Sequence, residues 1–120
     1  MHIISISWLS ELAKEAEITV SSNNLILTVF SQPCSVSIGD IINDSLHVFS
    51  AKSIMLAENS ELKIESEVSS LSAFITCTVD DLELGLCSVN SIKLQLDDYI
   101  PGGIESGDVI QFQCARLDLW

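Results

Sequence analysis

Four cysteines, two histidines and seventeen acidic side chains are the groups in this 120-residue chain that could ligate a metal, attack a substrate or move a proton. Cys34, Cys77, Cys87 and Cys114 form no C-x-x-C pair. The ligand spacing of a zinc ribbon and the redox pair of a thioredoxin-like site are therefore both missing. Cys77, Cys87 and Cys114 sit in apolar, strand-like runs, where a thiol packs as a small hydrophobe. Cys34 follows Pro33 in a turn-like stretch and is the cysteine expected to reach solvent. His2 is almost terminal, and His47 lies in a probable strand beside Val48 and Phe49, with no nucleophile near it in sequence. Pro101-Gly102-Gly103 and Ser106-Gly107-Asp108 read as two tight turns. A phosphate cradle needs a longer glycine-rich loop opening a helix, usually with a lysine. These residues point to a non-enzyme with no metal and no cofactor.

The carboxylates carry more information. They outnumber five basic side chains and give a formal charge of −12, with an isoelectric point near 4.1. Nucleic-acid phosphates demand lysine and arginine footprints, so nucleic acid is excluded as a partner. Half of the net charge lies between residues 80 and 108, chiefly in the doublets Asp80-Asp81 and Asp97-Asp98. Asp97-Asp98 runs on into Tyr99-Ile100-Pro101 and two glycines, without the alternating oxygens of a calcium loop. Two explanations stand side by side. Aspartate initiates turns and keeps acidic surfaces apart; alternatively, the surface docks a basic protein whose approach its field speeds. The docking explanation assigns contacts to Asp80, Asp81, Glu83, Asp97 and Asp98, with Tyr99 as an aromatic anchor. Glu61, Glu65 and Glu67 form the alternative face. A nuclease presents a positive cleft that a small acidic protein can occupy, which makes a nuclease-type toxin the expected partner. The competing function is a small-ligand-binding barrel or an assembly subunit.

These residues must be held by strands. Isoleucine and valine number 23, against seven glycines and prolines, and β-branched residues favour extended chain. One helix is expected, from Trp8 to Ala16, because Trp8, Leu9, Leu12, Ala13 and Ala16 recur at helical spacing. From Glu17 the period becomes two. Asn23-Asn24 reads as a hairpin tip, Glu58-Asn59-Ser60-Glu61 as a second, and Asp80-Asp81 as a third turn. Leu46–Leu56 and Val109–Leu119 each read as one strand. Ile92, Leu94 and Leu96 should point inward, and Ile64 with Leu62, Ser66 and Val68 likewise. Arg116, the single arginine, should pair with Asp118, Asp108 or Asp40. Six to eight strands in a chain of this length make one domain, 1–120. The fold expected is mainly β, a small antiparallel OB-like barrel with one short N-terminal helix, and a two-sheet sandwich is the second choice. Trp8 and Trp120 would cover the barrel ends. No apolar run approaches the ~20 residues of a membrane helix, and the first residues lack the basic n-region of an export signal. A cytoplasmic protein is expected.

Several segments also resemble a known class. Ile100-Pro101-Gly102-Gly103-Ile104, Gly107-Asp108-Val109-Ile110-Gln111-Phe112 and Arg116-Leu117-Asp118-Leu119 look like the tail of small bacterial β-domains. Trp8, Phe30-Ser31-Gln32-Pro33-Cys34 and Gly39-Asp40 add to the likeness. Such domains resemble immunity proteins of bacterial polymorphic toxin systems, including contact-dependent inhibition. The resemblance implies a protein that binds and neutralises a cognate toxin in the producer's cytoplasm. Its motifs are turns and packing residues, so it transfers no functional residue.

Overall fold

Alternation writes the core face of this protein strand by strand. In a computed structural model describing residues 1–66 and 71–120, Ala16, Ile18 and Val20 are buried while Glu15, Glu17 and Thr19 between them stay half-exposed. The strands are β1 (His2–Ser10), β2 (Glu15–Ser22), β3 (Leu25–Ser31), β4 (Leu46–Phe49), β5 (Lys52–Leu56) and β6 (Lys63–Ser66). They continue with β7 (Ala73–Asp81), β8 (Leu86–Val89), β9 (Ile92–Leu96), β10 (Val109–Cys114) and β11 (Arg116–Leu119). They form one sheet in the order β1-β2-β3-β11-β4-β9-β8-β7-β10-β5, with β6 beside β7. The inner face carries Leu46, Val48, Ile75, Leu94, Ile110, Phe112 and Leu117, all nearly inaccessible. Burying each such side chain is worth about 1.5–3 kcal/mol.

The expected antiparallel barrel is not what forms. The sheet is open, because the end strands β1 and β5 do not meet, and it is mixed, because β3–β11 and β4–β9 run parallel. It is also a single sheet and not a sandwich of two. The expected count fell short because two long runs bend. Leu46–Leu56 breaks at Ser50, which has φ 59°, and Val109–Leu119 breaks at Ala115. The breaks lie side by side: Arg116 pairs with Phe49, Gln113 with Lys52, and Ala115 N donates to Phe49 O at 2.9–3.0 Å spacing typical of a ladder bond, here 3.0 Å. Each long run thus serves two parts of the sheet, with β4 and β11 between β3 and β9, and β5 and β10 beyond β7.

The helix is absent as well, and no helix occurs among the described residues. Trp8–Ala16 is the tip of a hairpin in which Trp8 stands opposite Ala16. Lys14 takes a left-handed φ of 55°, and Ser10 Oγ accepts from Ala13 N at 3.1 Å. Nine residues give about two and a half helical turns, too few for a 3.6 period to outweigh a strand pairing. The tip at Asn23-Asn24 forms as expected, with φ 46° and 70°, in the sense that suits a tight hairpin. The Glu58–Glu61 turn joins strands that do not pair: β5 pairs with β10 and β6 with β7. A polar Asn-Ser loop reads alike in a hairpin and in a crossover. Val68 and Glu67 lie outside the described residues. Among those described, no helix is long and apolar enough to cross a membrane.

Candidate functional site

The turn after β7 and the loop after β9 come together at one end of the sheet. Asp80 and Asp81 still belong to β7, so the expected turn begins two residues later, over Leu82–Gly85. Asp81 Oδ1 accepts from Leu84 N at 3.1 Å, shaping that turn. Gly85 closes it in left-handed conformation, φ 67°, and a Cβ there would stand 3.0 Å from Leu96 O. Leu96 N donates to Gly85 O at 2.9 Å, and Gln95 Nε2 donates to Leu84 O at 2.6 Å, which fastens the turn to β9. The 105–108 turn seals the other side. Gly107 N donates to Val79 O at 2.7 Å and Val79 N to Asp108 O at 2.9 Å, while Leu82 N donates to Ser106 Oγ at 3.0 Å.

This assembly holds a hollow of about 380 Å³ whose lining includes Leu82, Leu96, Ile100 and Ile104 below, with Glu83, Asp98 and Tyr99 at its walls. Tyr99 is 85% exposed and Leu84 62% exposed. Asp97 and Glu105 are exposed beside them. The ion pairs among the described residues are Lys63–Glu65 at 3.0 Å and Arg116–Asp118 at 2.7 Å, and neither involves an acid of this end. Asp80 faces a neighbouring hollow that it shares with Ser88, Ser91 and Lys93. The arrangement sets two carboxylates, Glu83 and Asp98, beside the exposed Tyr99 and Leu84 over aliphatic Leu96, Ile100 and Ile104.

The structure therefore gathers Glu83, Asp98 and Tyr99 around one hollow; Asp81 shapes the turn that carries Glu83, Asp97 precedes Asp98 in the chain, and Asp80 lines the neighbouring hollow instead. It keeps Glu61 and Glu65 elsewhere. Glu65 stands opposite Phe74, roughly 20 Å along β7 from Asp80 at strand rise, and is bound to Lys63. Glu61 N donates to Asn59 Oδ1 at 3.0 Å within its own loop. Glu67 lies outside the described residues. No protein-family model, curated protein or solved structure matches this chain. The acidic end rests on its own geometry.

Sequence reasoning missed Leu84, which a β-turn position marks as apolar without purpose in the core. It also missed an aromatic cluster on the outer face of the sheet. Arg116 lies between two rings, its guanidinium carbon 4.4 Å from the centroids of both Phe30 and Phe49, and its Nε donates to Asp118 Oδ1 at 2.7 Å. Trp120 covers no barrel end: it stacks on His47 at 3.6 Å between centroids, 5° from parallel. Trp8 is 44% exposed on the outermost strand. The thiols are all buried, including Cys34 at 5% exposure, against expectation. Lys14 O accepts from Cys34 N at 2.7 Å, which draws that residue under the β1–β2 hairpin. Cys77 donates its S–H to Cys87, and that bond followed by burial pushes the Cys77 thiol upward. Burial pushes Cys114 up to about 11.

Proposed function

We propose that this protein is an acidic interaction module that binds and neutralises a basic protein, a nuclease-type toxin, in the cytoplasm of the cell that makes both. One observation carries the reading: Glu83 and Asp98, neither of them in an ion pair, line one hollow together with the exposed Tyr99 and Leu84. Turn chemistry accounts for Asp81, whose oxygen is engaged, and for Asp108, which accepts from Glu105 N at 2.9 Å. It leaves Glu83, Asp97 and Asp98 without a structural task. Solubility would be served by scattered charge, and needs no exposed tyrosine and leucine among the acids. A charged rim with buried aromatic and aliphatic anchors is the anatomy of a protein interface. A ligand-binding barrel has less support, since the sheet does not close.

The test is co-purification at low salt from a lysate of the native host, with wild type and Asp97→Lys/Asp98→Lys side by side. The expected result is a cationic protein retained by the wild type, released by salt and lost from the variant. That protein, expressed alone, should arrest growth, and co-expression should restore it. Equal retention by the variant would contradict the electrostatic face, and a harmless partner would contradict neutralisation.

A further inference from the structure

β1 ends the sheet, and its two halves are treated differently. The first is covered: Ile3 N donates to Asp40 O at 2.9 Å, Gly39 N to Ile3 O at 2.8 Å, and Ile42 N to Met1 O at 2.8 Å. From Ile4 to Ser10 no segment covers the edge among the described residues. Ile3, Ile6 and Trp8 stand opposite Val20, Ile18 and Ala16, alternate residues of β2. Because the N–H and C=O of Ile3 point outward to the 39–40 segment, those of Ile6 and Trp8 point outward too. They meet no backbone partner among the described residues.

Exposed edges are ordinarily blunted by charge, proline, brevity or irregularity. The other end strand shows this. β5 is five residues long, begins with Lys52, has Ser53 at φ 59° and slips register against β10. Ile4–Ser10 carries neither charge nor proline, and between its two bulges Ser5–Trp8 keeps a regular ladder. Ile4, Trp8 and Leu9 are about half exposed along it, with Ile41 at one end and Leu12, 98% exposed, at the other.

We propose that this edge joins two copies of the chain, by antiparallel pairing of the regular stretch Ile6–Trp8, between the two bulges, about a two-fold axis at Ser7. The uncovered run is centred on Ser7, so it maps onto itself. Ile6 of each copy then faces Trp8 of the other and exchanges both ladder bonds with it. On one face this makes two aromatic–β-branched cross-strand pairs; on the other it sets Ser7 against Ser7. Leu12 of one copy comes alongside Ile41 of the other. The uncharged edge favours a second copy over a basic strand, and the −12 carried by each copy opposes the pairing most at low salt. β1 offers no carboxylate to a lysine, and two uncharged edges place no charge against another. Lys14 also offsets part of the charge of Glu11, Glu15 and Glu17, the acids of the first two strands and their turn. The proposal is independent of the acidic end.

Sedimentation equilibrium of the full chain over a wide concentration range tests it, alongside Ser7→Lys and Ser7→Glu. Ser7 is exposed on the face away from the core, so both variants should keep the wild-type far-ultraviolet circular dichroism. The wild type should approach twice 13.1 kDa. Each variant alone should dimerise at least tenfold more weakly, and an equimolar mixture should recover the dimer. Amide exchange at Ile6 and Trp8 should be slow in the wild type and in the mixture, and fast in either variant. A wild type that stays at single mass overturns the proposal. So does a dimer that both variants leave intact, or a monomer whose Ile6 and Trp8 amides gain protection only on adding polylysine.

Discussion

Arg116 was partly legible and partly hidden. Sequence offers Asp118, Asp108 and Asp40 as its partner, and the structure joins it to Asp118 at 2.7 Å, two residues away on the same face of the strand. The rings of Phe30 and Phe49 on either side of it follow only from the placing of β11 between β3 and β4. The parallel half of that pairing has no local signature. The cysteines show the same division. Apolar surroundings mark three of them as buried, whereas Cys34 follows Pro33 in a turn-like stretch and reads as exposed, and only the contact of its N–H with Lys14 O under the β1–β2 hairpin buries it. Their burial gives a pH prediction. Cys114 titrates at about 11 in the folded chain, raised by burial from an ordinary thiol value of 9.0. The unfolded chain therefore loses this proton first as pH rises, and unfolding is favoured. Stability from this thiol is complete below about pH 9 and is lost as pH climbs toward about 11. The urea midpoint should fall across that window, and fall less steeply for Cys114→Ala. An unchanged midpoint would mean that the thiol reaches solvent in the folded state.

At the scale of elements, strands and their inward residues were readable, and partners were not. Ile92, Leu94 and Leu96 point inward as their alternation requires. The bends at Ser50 and Ala115 were invisible, because neither position carries the proline or glycine that usually punctuates a strand. The candidate site depends on one such local feature that sequence does show. Gly85 holds a left-handed turn against Leu96 O, and alanine there meets both an unfavourable φ and a close backbone oxygen. Gly85→Ala should cost about 1–2 kcal/mol of stability, measured by urea denaturation. It should also displace Glu83 and Leu84 from the acidic end. A neutral substitution would show that the turn is not fastened to β9 as described.

Across the whole molecule, the charge is the feature that composition announced and folding concentrated. The two ion pairs among the described residues engage two carboxylates and leave the formal net charge at −12, and like charges destabilise a compact state. Raising ionic strength from about 0.02 M to about 0.5 M shortens the Debye length from roughly 20 Å to roughly 4 Å. It should therefore raise Tm; a fall would mean that attractive pairs dominate. The seven carboxylates of residues 80–108 were visible as a cluster in sequence. That Glu83 and Asp98 share one hollow was not, because it needs the turn after β7, the loop after β9 and the 105–108 turn to meet in space. The decisive measurement is the association rate with the cationic partner recovered from the lysate, followed as a function of ionic strength. Asp97→Lys/Asp98→Lys should lower the low-salt rate at least tenfold and flatten its salt dependence, while Glu61→Lys/Glu65→Lys changes both far less. Equal effects from the two pairs, or none from the first, would contradict the acidic end as the binding face.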